Sequence, residues 1–191
     1  MKFTTTLILF LLLTMSVNSV TKKRKPKKTT TDRFQNQLID YTEFQNIVNT
    51  SAEDREIHRL TEEEFLKMMA EPDIIILDAR SEARYLLRHI DGAKNLPFTE
   101  FTEQSLMNVI PKKESKILIY CNNNFSGSPE SFAAKAPAAS LNLSTFTSLK
   151  AYGYKNIYEL GPLLDIGNTK IPFKGKETES NDSKLNKTEQ D

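Results

Sequence analysis

Cys121 follows the apolar run KILIY (residues 116–120) directly and is the single cysteine of the chain. Behind it come Asn122, Asn123, Asn124, Phe125, Ser126 and Gly127, then Ser128-Pro129-Glu130. The last three are a capping residue, a first-turn proline and an acid, a pattern that opens a helix. A thiol on a loop between strand and helix meets free backbone amides and the positive end of the helix dipole, both of which favour an anion. A thiolate held there is a nucleophile. Three successive asparagines fit the same picture, because Asn tolerates the left-handed backbone that turns several amides inward. The plainer alternative is a buried structural cysteine under a polar loop. Its place decides for the nucleophile, since open α/β sheets bind ligands beyond the carboxyl ends of their strands.

A lone cysteine forbids an intramolecular disulfide and any cysteine-rich metal site. Residues 96–101 and 133–142 hold no charged cluster with ligand spacing, so neither a metal nor another cofactor is expected. Asp78 and Arg80 could tune the thiol, but a buried acid and base two residues apart serve more often as an internal ion pair that braces a loop. His89 lies in the turn-like stretch RHIDGA and is expected to pack and hydrogen-bond rather than to act as a base.

The elements that must position these groups alternate along the chain. Thr61 with Glu64 three residues on is a capping box opening TEEEFLKMM, which Pro72 ends. Residues 74–77 (IIIL) form a short apolar run closing on Asp78, which suits a strand buried on both faces. The pattern predicts helices over residues 81–88, 102–109, 128–136 and 141–152, with Pro137 separating the last two. Further strands are predicted at KILIY and at NIYEL (residues 156–160). Residues 37–47 carry a weaker helix or strand signal. Short apolar strands alternating with helices indicate an α/β domain with a parallel sheet.

The ordered set resembles the single-domain rhodanese-like family. A strand ending in Asp78-Ala79-Arg80, the segment Arg88-His89-Ile90-Asp91-Gly92-Ala93, a strand closing on Cys121, and Gly153-Tyr154-Lys155-Asn156-Ile157 match its motifs in order, over residues 58–173. The resemblance implies a five-stranded parallel sheet with helices on both faces. It implies sulfur transfer through a persulfide on Cys121, with Asn122, Asn123, Asn124, Phe125, Ser126 and Gly127 as the substrate-binding loop and Asp78, Arg80 and His89 in support. The partners would be a small sulfur donor and a thiol acceptor, and a monomer is expected. The chain departs from the family at Arg88 and Asp91, and its loop from Asn122 to Ser126 has neither the internal glycine nor the basic residue typical of such loops. Phe125 is expected to narrow the pocket. A related phosphatase would need Arg six residues after the cysteine to fork across phosphate; Gly127 stands there. The competing class is a non-catalytic binding module for a small anion or a peptide.

Charge excludes one further class. There are 26 Lys+Arg and 25 Asp+Glu; setting aside Lys2 and the six basic residues of KKRKPKK (residues 22–28) leaves 19 basic against 25 acidic residues. The body is mildly acidic, so no basic field for nucleic acid exists. Lys2, the apolar run LILFLLL (residues 7–13) and Val17-Asn18-Ser19 read as a secretory signal peptide over residues 1–19. That run is far shorter than the ~20 residues of a membrane span. Export to the periplasm or the exterior is therefore expected, with membrane contact only through this segment. Residues 20–33 are expected to be a basic flexible linker, 34–57 an extension packing on the domain, and 174–191 a disordered tail. Asn49, Asn142 and Asn186 each head an Asn-x-Ser/Thr acceptor pattern.

Overall fold

The computed structural model describes residues 36–178. The expected signal peptide and basic linker lie outside them, as does the chain after residue 178. Residues 36–39 make a turn, with the Ile39 amide donating to the Asn36 carbonyl. The described chain from Asp40 onward belongs to one compact unit.

This unit begins with α1 (Tyr41–Thr50), capped by the Asp40 side chain, then α2 (Ala52–Ile57) and β1 (Arg59–Leu60). In α3 (Glu62–Met69) the expected capping box is present, Thr61 and Glu64 each satisfying the other's backbone amide. Next come β2 (Ile75–Asp78), α4 (Glu82–Leu87), β3 (His89–Ile90), β4 (Lys94–Asn95) and α5 (Glu103–Val109). The second half holds β5 (Lys116–Tyr120), β6 (Phe125–Ser126), α6 (Leu141–Ala151), β7 (Asn156–Leu160), β8 (Leu164–Asp165) and β9 (Phe173–Lys174).

Five strands form one parallel sheet in the order β1-β7-β5-β2-β4. Alternation along β5 sorts the core into two layers. Ile117 and Ile119 face Leu106 and Ile110 of the α5 region and Phe146 and Leu149 of α6. Leu118 and Tyr120 face Phe65 of α3 together with Ile90, Phe125 and Phe132. Helices therefore cover both faces, and strands buried on both sides are continuous apolar runs for that reason.

Two expectations are corrected. Residues 128–136 do not form a helix: Phe132 donates one helical-type bond to the Ser128 carbonyl and the chain then leaves the helical path. Tertiary anchors outweigh the local helical preference. The Ser128 hydroxyl is tied to Glu177, the Ser131 carbonyl accepts from Arg80, and Phe132 is drawn into the core with Phe125 and Phe173. Nor does order stop at Lys174. Lys174 pairs with His89 across the two-stranded β3–β9 ribbon, and Glu177 holds Arg88 and Ser128. Residues 174–178 are poor in apolar side chains, and ladder bonds and ion pairs hold them instead.

Candidate active site

Cys121 leaves β5 at its carboxyl end and is 1% exposed. By alternation from Ile117 and Ile119 its side chain belongs to the α6 face of the sheet. Its Sγ lies 3.4 Å from the hydroxyl of Ser140, the residue that precedes α6, and accepts the Asn123 amide at 3.4 Å. The helix whose amino end meets the thiol is thus the eleven-residue α6, not one opening at Ser128. A helix start favours negative charge, and the start that stands beside the sulfur is that of α6.

The loop after Cys121 is not the expected amide cradle. Asn122, Asn123 and Asn124 form a 3₁₀ turn, and outside glycine only Asp73 has positive φ among the described residues. Asn124 is a brace. Its Oδ1 accepts from the Cys121 amide (2.8 Å) and from Asn142 Nδ2 (3.0 Å), while its Nδ2 donates to the carbonyls of Leu160 (2.7 Å) and Pro162 (3.2 Å). Asn123 pairs its amide with both backbone groups of Lys135. Asn122 is buried and lines a different cleft, of about 350 Å³, with Arg80, Arg84, Phe98 and Lys135.

Phe125 does not narrow the thiol cleft: it points into the opposite core layer, between Tyr120, Phe132 and Phe173. Ser126 is exposed and joins Phe125 in pairing with β8. Gly127 turns the chain with φ of 89°, where a Cβ would come within 3.0 Å of Ile166 and 3.1 Å of Asp165. These three residues serve the fold at this point rather than the surroundings of the sulfur.

The supporting residues form a separate network on the other face. Asp78 and Arg80 are both buried and joined by three side-chain hydrogen bonds, Arg80 Nε to Oδ1 at 2.9 Å and to Oδ2 at 3.1 Å and Nη2 to Oδ2 at 2.5 Å, with the Arg80 amide also on Oδ1. Arg80 also donates to the carbonyls of Ser131 and Arg88 and lies 4.4 Å above the Phe132 ring. Tyr120 donates to Asp78 and receives the Ile90 amide. Burial, and then the Asp78 charge, push the Tyr120 hydroxyl well above its ordinary value. For Arg80, burial opposes the charge but the Asp78 contacts outweigh it and the value rises. His89 stacks on Tyr85 at 3.7 Å, its Nδ1 meeting the Tyr85 carbonyl.

Around the thiol is a cleft of about 230 Å³ whose wall includes Cys121, Arg55, Arg59, Ser140, Asn142 and Glu159. Register explains the grouping: Arg59 pairs with Glu159 across β1–β7, and Glu159 with Ile119 across β7–β5, so the three align on one face just below Cys121. Arg55 comes from α2 and grips Glu159 Oε1 at 2.7 Å. The cations absent from the loop are thus present in the preceding segment. Sequence reasoning passed over all five partners. A charged residue inside the strand NIYEL was the available signal, since a buried carboxylate needs a partner. Asn142, which heads one acceptor pattern for glycosylation, is 2% exposed. Among the described residues no group of His, Cys, Asp and Glu could hold a metal ion, and no helix is long and apolar enough to cross a membrane.

Comparison with known proteins returns one family, described as the rhodanese-like domain, over residues 61–161. Among solved structures, the Alr3790 protein from Anabaena sp. is 16% identical, covering 69% of this chain and 94% of its own, with a TM-score of 0.42. A rhodanese with anions from E. coli is 19% identical, covering 54% and 99%, with a TM-score of 0.36. A variant of EanB in complex with ergothioneine covalently linked with a persulfide cysteine is 22% identical, covering 61% and 28%, with a TM-score of 0.43. No curated protein matches the chain. The matched stretch is just over half of the sequence and contains the strand that delivers Cys121 to the carboxyl edge of the sheet; the chain belongs to the rhodanese-like domain family.

Proposed function

We propose that the protein is an exported sulfurtransferase in which Cys121 accepts a sulfane sulfur and passes it to a thiol. The observation that carries this reading is the position of the thiol: at the end of a central strand, against the start of α6, on the wall of a polar cleft. The Cys121 thiolate attacks the outer sulfur of the donor, the donor's own sulfur departs with the electron pair, and a persulfide remains on Cys121. The Asn123 amide and the Ser140 hydroxyl are the donors nearest the sulfur. An acceptor thiolate then removes the outer sulfur and restores the enzyme, with no cofactor involved.

Turnover tests this. With a persulfide or thiosulfate donor and excess thiol, the protein is expected to release hydrogen sulfide catalytically, and Cys121→Ser to abolish the release. Equal release by both proteins refutes the reading. A second reading, a binding module for a small anion or peptide, is favoured by one observation, the near-complete burial of Cys121. It predicts ligand binding that survives Cys121→Ser, without turnover in either protein. Export is checked by sequencing the amino terminus of the secreted protein, expected near Val20; Met1 on membrane-bound material would contradict it.

A further inference from the structure

The first helix, α1, turns an apolar stripe to solvent. Tyr41, Phe44 and Val48, at positions i, i+3 and i+7, lie on one face and are 68%, 50% and 41% exposed. The Tyr41 and Phe44 rings stack at 6.4 Å, so the stripe is ordered without a partner. The helix rests on α6, and Ile47 is its only partly buried residue. Thr42, Gln45 and Asn49, all uncharged, flank the stripe on its open side. Glu43, the one acid of the helix, lies roughly a third of a turn away and accepts from Asn46. In α2, Asp54 is held by His58 and Lys150, and Glu56 by Arg55 and Arg59. Single exposed apolar residues are ordinary, but an aligned aromatic stripe marks an interaction surface.

Two observations select what covers it. A ten-residue helix is about 15 Å long. Three partly exposed side chains on it cover far less than the ~800 Å² per partner of a standard interface, so a second copy gains too little there to dimerise. The sequence also supplies charge of one sign close by. Residues 22–28 (KKRKPKK) carry six cations, and twelve residues separate Lys28 from Tyr41. That length of chain spans at most ~40 Å, short enough for both to meet one flat surface. The cations need an anionic partner and the stripe an apolar one; a bilayer with acidic headgroups offers both.

We propose that the protein docks peripherally on anionic lipid, with Tyr41, Phe44 and Val48 entering the headgroup boundary and residues 22–28 held by charge. This contact is additional to the one expected of residues 1–19 and independent of sulfur transfer. A stripe alone would bind neutral lipid equally well, and a basic run alone would leave the stripe in water. Docking through both must weaken with salt and with the loss of either part.

The chain has no tryptophan, so Phe44→Trp in the full-length protein gives an emission that reports α1 alone. With vesicles of phosphatidylcholine and phosphatidylglycerol, that emission is expected to move to shorter wavelength and to be quenched by lipids brominated on their acyl chains. Partitioning should be at least about tenfold stronger than onto phosphatidylcholine alone, since one basic residue near an acidic surface is worth roughly fivefold. Replacing the six basic residues by Gln is expected to remove that preference. Adding Tyr41→Ser and Val48→Ser is expected to weaken partitioning about tenfold. Equal partitioning onto both vesicles, or partitioning that the two Ser substitutions leave unaltered, overturns the proposal. Unshifted emission with acidic vesicles overturns it in favour of a protein partner, and a shift that grows with protein concentration without lipid does so in favour of a second copy. The lipid comparison on the Phe44→Trp protein does not depend on the Ser variant folding.

Discussion

Asp78 and Arg80 show how much of this site's surroundings is scaffolding. The guanidinium ties β2 to the Arg88 carbonyl and to the Ser131 carbonyl, so one buried ion pair fixes two loops at the carboxyl end of the sheet. Asp78→Asn keeps the shape but leaves a buried cation uncompensated. It is expected to cost about 3–5 kcal/mol of stability, read from the shift of a denaturant midpoint; a loss under 1 kcal/mol would place the pair's worth elsewhere. Asn124 plays the corresponding part for Cys121, holding its amide and linking β5 to the carbonyls after β7. Asn124→Ala is expected to cost on the order of 2–4 kcal/mol and to speed alkylation of Cys121 in the native protein, because the turn that covers the sulfur loosens. Unchanged alkylation would mean that Asn124 does not control access. The cysteine and the ion pair were legible as residue types. The braced role of Asn124 was not, because nothing in a run of three asparagines says which one turns inward.

At the scale of elements, apolar runs and capping signals gave β2, β5, β7, α3, α5 and α6, whereas the two-residue strands β1, β3, β4, β6, β8 and β9 have too few positions for a period to show. The segment 128–136 reads as a helix and is not one, because its side chains and carbonyls are claimed by Arg80, Glu177 and the aromatic cluster. That cluster depends on the segment after β8, which two carboxylates fasten. Glu62 receives the Thr169 hydroxyl and the Lys170 amide, and these contacts hold it below the ordinary 4.5. Burial pushes Glu177 upward, but Ser128, Ser131 and Arg88 outweigh it and the net displacement is downward. Carboxylates depressed on folding stabilise fully above their unfolded value and lose that contribution as pH falls through the folded one. Acidification below 4.5 is therefore expected to release residues 169–178 before the parallel sheet, seen as early loss of amide protection. Glu177→Gln together with Glu62→Gln should remove the pH dependence; protection that persists until the sheet itself melts would contradict the account. Gly175 belongs to the same fastening, since a Cβ there would sit 2.5 Å from the Leu87 carbonyl oxygen.

For the whole molecule, the sheet order and the two core layers put every group around Cys121 on one face at one edge, with β1, β7 and β5 in register beneath it. The sequence order of the family motifs carried the fold. The cleft was hidden because Arg55 and Arg59 precede the matched domain in sequence and meet Cys121 only through parallel pairing across three strands. The central claim is that Cys121, though buried, takes up sulfur. Intact-mass spectrometry of the native protein after incubation with a panel of persulfide, polysulfide and thiosulfate donors addresses it directly. The account predicts a gain of one sulfur atom from at least one donor, reversed by a thiol and absent from Cys121→Ser. An unchanged mass with every donor, or the same gain in the Cys121→Ser protein, would contradict it.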